Sequence, residues 1–427
     1  MKVLAIDCGS SSVKAGILRD GRIVRDARFE YPTRRMDLQA EIDPASVLRA
    51  IARAIRSLGA LAKDVDAIAI DSMSPSWIAM DRRGKPVTPI ISHEDRRSLQ
   101  IAVEIEKKVG RQKHLNIVGT RPIPGGISST VCAWFLKHEK SRMRHADLVG
   151  HLTTFLHRQF TGARVVDPSH ASFMGLYNSL THGGWNDDLC AAIGISKTLL
   201  PEVKFANEVG GKLTSEAARR LGLTAGLPML TGMIDTGAAM LLAGAKVGQM
   251  VNVVGSTDVL ALCTDRPRPH ERLLTRSLGI RDRWLSVGTL ASAGSSIAWA
   301  RKVLFSEPSE KQFFQRMRKL SGNGLVRFDP YLAGDRCAVE QRRATFEGLT
   351  LGTTREQMLA AIVESLAQAS AERLQLLRWT GTRMHRKVLI SGGGGGELAK
   401  IMHRDWTGKW SFNVEEEATM RGLARLV

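Results

Sequence analysis

The sequence predicts an α/β protein of two domains, and three observations support this prediction. The chain of 427 residues is long enough to form two substantial hydrophobic cores. In residues 2–71, a predicted meander of short apolar strands is followed by a helix and a further strand, which is an α/β arrangement. The second half begins again with strand, helix and strand, and glycine and proline at 226–228 separate the predicted domains 1–226 and 227–427.

The composition is that of a globular protein, with 43% hydrophobic and 24% charged residues. The apolar runs are far shorter than the ~20 residues of a membrane span, and the N-terminus lacks the apolar core of a signal peptide. We therefore expect a cytoplasmic protein with no membrane partner. The five cysteines are scattered without metal-binding spacing, which favours reduced structural thiols over disulfides or a zinc site.

The net charge of +19 raises the question of a nucleic-acid partner. The 61 basic residues are spread along the chain with few aromatic residues among them, unlike the clustered patches of nucleic-acid-binding proteins. We expect no nucleic-acid partner, because a preference for phosphorylated ligands or a basic proteome explains the charge as well. The nucleic-acid alternative predicts retention on DNA that falls steeply with salt.

A turn with one glycine and three hydroxyl residues follows the first predicted strand: Gly9, Ser10, Ser11 and Ser12. Its backbone N–H groups and hydroxyls can face a phosphate. In that interpretation Asp7 lies near a metal ion and Lys14 adds a positive charge. A serine-rich hairpin turn that binds nothing is the structural alternative.

The next predicted elements end in polar residues. Residues 41–61 have the apolar spacing of a helix, and the apolar run at 65–70 predicts a buried strand. The segment 93–97, HEDRR, follows a further apolar strand. Such a cluster usually begins a solvated helix. In a polyol site, by contrast, Asp95 accepts hydroxyl protons and Arg97 donates through its fork.

The stretch 228–257 is where the sequence predicts the chemistry. Its first apolar run predicts a buried strand that ends at Asp235, and a helix of small apolar residues follows. A second strand ends in a turn of one glycine and two hydroxyl residues: Gly255, Ser256 and Thr257. A carboxylate beside a phosphate-binding turn indicates phosphoryl transfer. In the alternative, Asp235 only caps the helix.

Five consecutive glycines lie between an apolar strand and an amphipathic helix: Gly392, Gly393, Gly394, Gly395 and Gly396. A backbone without side chains can approach a flat or anionic ligand closely. The run is not the dinucleotide fingerprint GxGxxG, because no βαβ unit with a later acidic ribose ligand contains it. A flexible linker is the alternative, but the flanking strand and helix favour nucleotide binding.

Several of these segments resemble one family, the FGGY carbohydrate kinases of the actin/hexokinase/heat-shock ATPase superfamily. AIDCGSSSVKAGI is similar to the family's first phosphate loop, GMIDTGAA to its catalytic segment and VVGST to its second phosphate loop. FDPYLAGDR is similar to F-x-P-Y-L-x-G-E-R, and residues 344–364 match the spacing of the C-terminal signature. The resemblance covers nearly the whole chain in family order.

The resemblance implies an α/β fold of two ribonuclease-H-like, actin-like ATPase domains with a cleft between them. The C-terminal domain would hold most of the ATP and the N-terminal domain most of the sugar. Asp235 would act as general base on a hydroxyl of a ketose, xylulose-like, or of a related polyol. Mg²⁺ would be placed by Asp7, largely through water, and a homodimer is a possible assembly.

Two sugar-site segments differ from the family pattern. The W-x-D-x-R motif resembles residues 93–97, with His93 in place of tryptophan. The Q-M-H-G loop of xylulokinase-like members is replaced by four residues, which leaves the substrate open: Ser72, Met73, Ser74 and Pro75. The alternative is a non-kinase ATPase or a regulatory sugar- or nucleotide-binding protein, which needs neither Asp95 nor Arg97. Sugar-dependent release of ADP separates the two.

Overall fold

The computed structural model describes residues 1–305, 307, 309–318, 320, 324–393 and 396–427. These residues form two lobes, each built on a mixed β-sheet with helices against its faces, so the predicted α/β class is confirmed. Within the described residues, every helix is too short or too polar to span a bilayer.

The first lobe contains short strands with these bounds: β1 Lys2–Cys8, β2 Ser12–Arg19, β3 Arg22–Glu30, β4 Thr33–Met36, β5 Gln39–Ile42, β6 Ala67–Ser72, β7 Ser76–Met80, β8 Ile90–Ser92, β9 Leu148–Gly150, β10 Val165–Val166, β11 Glu202–Val203, β12 Val209–Lys212, β13 Pro228–Leu230 and β14 Met233–Ile234. Its α-helices are α1 Pro44–Ser57, α2 Leu99–Val109, α3 Arg111–Val118, α4 Ser128–His138, α5 Lys140–Met143, α6 Leu152–Phe160, α7 Pro168–Met174, α8 Asp187–Ile193, α9 Ser215–Leu221 and α10 Asp235–Leu242.

The main sheet of this lobe has the strand order β12-β13-β6-β1-β2-β3, and β14 also pairs with β6. Every residue of β6 is buried, because β6 lies in the middle of the sheet and is covered on both faces. Helix α1 begins where the side chain of Asp43 accepts the N–H groups of Ala45 and Ser46. Its apolar face, which includes Val47 and Ile51, packs into the core beside the sheet.

The first sheet continues past the predicted domain boundary at residue 226. Strands β13 and β14 run parallel to β6, with Met229 opposite Ile68 and Met233 opposite Asp71. Gly226, with φ of 79°, only makes the turn before them. The apolar run at 228–234 therefore forms β13 and β14 of the first sheet, and the chain leaves that sheet after Ile234.

The second lobe contains the remaining strands: β15 Met250–Val254, β16 Asp258–Thr264, β17 Leu274–Ser277, β18 Trp284–Leu290, β19 Arg327–Phe328, β20 Phe346–Glu347, β21 Lys387–Ser391 and β22 Ser411–Val414. Its helices are α11 Gly294–Leu304, α12 Glu310–Arg318, α13 Arg355–Trp379, α14 Glu397–His403 and α15 Ala418–Leu423. Its main sheet has the order β17-β18-β16-β15-β21-β22.

The two sheets share one plan. In the first, β1 pairs with β2 and β2 with β3 in antiparallel fashion, and β6 adds in parallel to β1. In the second, β15 pairs with β16 and β16 with β18 in antiparallel fashion, and β21 adds in parallel to β15. The repeated plan begins at β15, whereas the repeat suggested by the sequence began at residue 228, whose strands β13 and β14 belong to the first sheet.

Helix α15 returns from the second lobe to the first and packs against α10, β1 and β6. Its buried residues Met420 and Leu423 belong to a core cluster that also contains Ala5 of β1 and Val251 of β15. The same cluster therefore joins the two lobes below the edge where their functional residues lie.

Candidate active site

Three aspartates meet at one edge of the first sheet. Asp7 on β1 lies directly opposite Asp71 on the parallel strand β6. Next to Asp71, Ser72 pairs with Ile234, the residue before Asp235. Because parallel strands end at the same edge of a sheet, the three carboxyl groups come together there, as expected for a ligand site in an α/β fold.

Asp235 is the first residue of α10 and is only partly buried. Its Oδ1 atom accepts hydrogen bonds from the backbone N–H of Thr236 at 2.5 Å and from the Thr236 hydroxyl at 3.0 Å. The residue in the N-cap position is Ile234, so Asp235 does not cap the helix from outside. Its other oxygen, Oδ2, accepts no hydrogen bond from the described residues and is a candidate proton acceptor.

The neighbouring carboxyl groups of Asp7 and Asp71 are electrostatically linked. Burial raises the pKa of Asp71 well above its usual range, and the charge of Asp7 raises it further. Burial also raises the pKa of Asp7, although hydrogen bonds, one of them from Thr419 to Oδ2 at 2.9 Å, oppose this shift. An ionised Asp71 would leave both its buried oxygens without a donor, whereas a protonated Asp71 can donate to Asp7. The structure therefore favours one proton shared by this pair.

The first predicted phosphate turn follows β1 and is partly open. The N–H of Gly9 donates to the carbonyl of Ser12 at 2.9 Å, which closes the turn. Ser10 is half-buried and Ser11 exposed, while Ser12 is buried. The turn therefore presents Ser10 and Ser11 to a ligand more than Ser12.

Lys14 is engaged by a carboxylate rather than free for a phosphate. Its Nζ atom donates to both carboxylate oxygens of Glu417, at 2.5 and 2.6 Å. Lys14 lies opposite Asp7 in the β1–β2 pair, so its charge still acts on the aspartates. The expectation that Lys14 contacts phosphate directly is not supported by this conformation.

The second predicted phosphate turn lies at a cavity of about 800 Å³ in the second lobe. The N–H of Gly255 donates to the carbonyl of Thr257 at 2.9 Å, and the N–H of Gly294 donates to the carbonyl of Gly255 at 3.0 Å. The cavity is lined by Gly255 and Ser256 of this turn, by the start of α11, by Gly393 and Gly396, and by apolar side chains of α12, namely Phe313, Phe314 and Met317.

The cavity fits a nucleotide. A Cβ atom at Gly294 would lie 2.6 Å from the carbonyl oxygen of Gly255, and one at Gly392 would lie 2.5 Å from that of Val254. Glycine is therefore required at positions 294 and 392, because a side chain there would collide with these carbonyl oxygens. Gly393 lines the cavity, whereas the predicted ligands Gly394 and Gly395 lie outside the described residues. The apolar side chains of α12 suit the base of a nucleotide, and the backbone turn at Gly255 suits its phosphates.

Asp95 and Arg97 bind each other instead of presenting free groups. Asp95 is 0% exposed, and its oxygens accept from Ala40 N–H and from the backbone and guanidinium of Arg97. The guanidinium of Arg97 also donates to Glu41 at 2.6 Å and lies over Trp134. The expectation that this pair binds substrate hydroxyls is not supported, because no accessible acceptor remains on Asp95.

Ser72 and Met73 are also buried in this conformation, at 0% and 3% exposure. The hydroxyl of Ser72 hydrogen-bonds to Nε2 of His170 at 3.0 Å, and Nδ1 of His170 lies 2.5 Å from Asp167. Neither Ser72 nor Met73 therefore offers a group to a substrate without a rearrangement.

Sequence reasoning missed four residues around Asp235: Asp71, Thr419, Arg276 and Arg336. A signal for Asp71 existed, because it ends its apolar strand just as Asp7 does, and two such strands in parallel place their last residues side by side. Arg276 comes from β17, where no motif marks it, and Arg336 comes from the loop between β19 and β20, where it is the last residue of FDPYLAGDR. That motif marked Arg336 but did not link it to Asp235.

Comparison with known proteins confirms the fold. The solved structure of xylulose kinase from Rhodospirillum rubrum superposes on the whole chain with a TM-score of 0.88, at 23% identity, and 89% of that structure is covered. The architecture is therefore the two-domain, actin-like ATPase fold that the sequence analysis expected.

Both halves of the chain match family models. Residues 2–242 match the N-terminal domain, and residues 250–402 the C-terminal domain, of the FGGY family of carbohydrate kinases. The chain belongs to this family, whose members transfer a phosphoryl group from ATP to a sugar or polyol.

Curated relatives differ in their named substrates. The xylulose kinase of Bacillus subtilis (strain 168) is 23% identical over 97% of this chain and 85% of its own length. The gluconokinase of the same organism is 26% identical over 85% of this chain and 74% of its own length. The family is thus established, whereas the acceptor of this enzyme has to be argued from its own residues.

Proposed function

We propose that the enzyme phosphorylates a hydroxyl of a polyhydroxylated acceptor, with Asp235 as general base. One observation supports this assignment above the others: Asp235 is a partly exposed carboxylate whose Oδ2 accepts no hydrogen bond from the described residues, at the edge where Asp71 is buried and Asp7 accepts from Thr419. Its free oxygen can accept the proton of a hydroxyl as that oxygen attacks the γ-phosphorus of ATP. The xylulose-like ketose of the sequence analysis is one member of this acceptor class.

In this proposal ATP occupies the cavity of the second lobe. The phosphates lie along Gly255, Ser256 and Thr257, the glycine segment approaches the adenosine, and the apolar side chains of α12 flank the base. The turn at Gly9 contributes N–H groups and hydroxyls from the opposite lobe. Movement of the lobes toward each other would exclude water and so suppress hydrolysis of ATP.

The carboxylates suit a Mg²⁺ ion that keeps most of its water. The described residues contain no cluster of three His, Cys, Asp or Glu side chains able to hold a metal. Asp7 and Asp71 do present adjacent carboxyl oxygens, two of them without donors, and Mg²⁺ often binds through one or two carboxylates plus phosphate oxygens. Bound there, the ion neutralises charge on the phosphates.

An ADP-release screen with MgATP tests the proposal. We expect acceptor-dependent ADP release with at least one ketose, polyol or aldonic acid, and its loss in Asp235→Asn. ADP release that is equal with and without any acceptor would favour the alternative of a non-kinase ATPase. Light scattering during purification checks the prediction of a homodimer.

A further inference from the structure

Arg276 is a buried arginine whose charge is not paired. It lies on β17, is 5% exposed, and places its guanidinium 4.8 Å from the ring centre of Phe173 in the first lobe. Its Nε and Nη2 atoms are buried and have no acceptor among the described residues. A guanidinium stays charged in a protein, so this arrangement costs stability unless a ligand supplies the acceptor.

The unpaired state of Arg276 is unusual within this molecule. The two other arginines that are equally buried both contact carboxylates: Arg121 contacts Glu106, and Arg373 contacts Asp258. The fold therefore pairs its buried arginines with acids elsewhere. The exception lies on a strand that approaches α10, because a Cβ atom at Gly237 would lie 3.3 Å from the carbonyl oxygen of Leu278, the residue after β17. The charge of Asp235, the first residue of α10, accordingly favours the cationic form of Arg276.

A second arginine strengthens the positive charge at this place. Arg336 makes no hydrogen bond or ion pair with any described residue. Its positive charge lowers the pKa of Arg276 and of His93, and the charge of Asp235 raises the pKa of Arg336. Burial lowers the pKa of Arg276 to about 10, with Arg336 contributing, so both side chains remain cationic at neutral pH. The two buried nitrogens of Arg276 that lack an acceptor among the described residues indicate a missing anion.

We propose that Arg276 binds a carboxylate of the acceptor, which makes the preferred substrate class polyhydroxy acids such as aldonic acids. This inference rests on the proposed function, because it requires the hydroxyl of the same acceptor to reach Asp235. The planar guanidinium donates two parallel hydrogen bonds, a geometry that matches a carboxylate. The Phe173 ring packs against the guanidinium and offers it no hydrogen-bond acceptor, so the hydrogen bonds of Nε and Nη2 remain to be made.

Matched acceptors that differ only at the acid group test this inference. D-gluconate is compared with D-glucitol, and D-xylonate with xylitol, by ADP release under MgATP. We expect kcat/KM to be at least about tenfold higher for each acid than for its alditol, because a charge-assisted hydrogen bond of this strength is lost in the alditol. Equal values, or a preference for the alditol or for a ketose, would overturn the inference.

Variants separate acceptor binding from phosphoryl transfer. In Arg276→Met, whose side chain still covers Phe173, we expect the ratio of kcat/KM for the acids to kcat/KM for the alditols to fall about 10- to 100-fold. Arg276→Lys should restore part of the preference for acids. Arg281→Met is the matched control, because Arg281 is exposed and stacks on Phe205. Equal losses for acids and alditols in Arg276→Met would assign Arg276 to the transferred phosphoryl group instead.

A binding measurement keeps this inference distinct from the proposed function. D-gluconate alone should raise the midpoint of thermal unfolding of the wild type but not that of Arg276→Met. If no acceptor releases ADP but this difference in midpoints is seen, the kinase proposal fails and the acid site stands. If D-gluconate shifts neither midpoint and is not phosphorylated, the acid site is wrong.

Discussion

Two groups of buried aspartate and arginine residues in this protein differ in how completely their charges are paired. In the first, Asp95 and Arg97 bind each other, and their remaining atoms bind Ala40 and Glu41. In the second, the carboxyl oxygens of Asp71 lack donors, which favours the proton that Asp71 shares with Asp7, and two nitrogens of Arg276 lack acceptors within the described structure. The first group is buried inside one lobe, whereas the second surrounds Asp235.

The difference separates residues that hold the fold from residues that await a ligand. A buried ion pair with complete hydrogen bonding stabilises one conformation, and breaking it leaves a buried charge. A buried charge without a partner is costly, and a fold retains it where a ligand supplies the partner. Residues 93–97 resemble a sugar-binding motif, but they contain Asp95 and Arg97, whose charges are already paired within the fold.

The largest expected effect is on the turnover of a variant at Asp235, the residue that the second group surrounds. Asp235→Ala should lower kcat by about 10²- to 10⁴-fold, because the proton acceptor is lost. ATP binding, measured by titration calorimetry, should be nearly unchanged, since the nucleotide cavity lies in the other lobe. Near-wild-type turnover in this variant would end the assignment of Asp235 as general base.

The converse effect is expected in the first group. Asp95→Ala should destabilise the protein by about 3–5 kcal/mol, because Arg97 keeps its charge but loses its main partner. Chemical denaturation measures this loss, and KM for the acceptor in the folded fraction should change little. Asp64→Ala, which removes an exposed partner of Lys2, serves as the control and should leave the unfolding midpoint unchanged. A large rise in KM without loss of stability in Asp95→Ala would restore the sugar-binding role.

Buried histidines extend the comparison to groups that stay neutral. Burial lowers the pKa of His157 to about 4, below its ordinary value near 6.5, although backbone carbonyls of Leu230 and Thr231 oppose the shift. Between these two values the unfolded chain binds more protons than the folded protein, so stability falls as pH falls. From pH 6.5 to 4.5 we expect this residue to cost about 2 kcal/mol.

Denaturation curves over this pH range check that expectation. The pH dependence should be weaker in His157→Gln than in the wild type. His145→Gln, which alters an exposed histidine, should keep the full dependence. An unchanged dependence in His157→Gln would show that His157 does not contribute to it.

The smallest effect concerns the close packing at the nucleotide cavity. A Cβ atom in Gly294→Ala would meet the carbonyl oxygen of Gly255 at 2.6 Å and displace the phosphate turn. We expect KM for ATP to rise about tenfold, which corresponds to about 1.4 kcal/mol, while the acid preference at Arg276 is retained. Gly352→Ala is the control, because its nearest contact would be 3.8 Å, an ordinary van der Waals distance. An unchanged KM for ATP would place the phosphates elsewhere.

The sequence was sufficient for the fold and for part of the site. Period-two and period-3.6 apolar patterns locate β1, β6 and α1, and an apolar run followed by Asp235 locates that residue at the sheet edge. Local patterns do not report what a side chain meets after folding. Asp95 looks free in the sequence and is enclosed by Arg97 and Ala40 in the structure.

Arg276, in contrast to Asp95, looks ordinary in the sequence but lies unpaired among the described residues of the structure. It lies in a short strand with no recognisable motif, and its importance comes from contacts made across the lobes, with Phe173 beneath it and Asp235 nearby. Such a position is specified by the tertiary fold alone. The pairing of Asp7 with Asp71 lies between these cases, because the end of each strand is predictable but the register between them is not.

Helix α15 has a consequence for the way this enzyme is made. Thr419 bonds to Asp7, Glu417 holds Lys14, and Met420 fills the core beneath the first turn. A ribosome translates Asp7 and Lys14 early, yet these residues gain their partners only after α15 has been translated and has emerged from the exit tunnel. The growing polypeptide therefore cannot complete this catalytic centre before α15 has been synthesised.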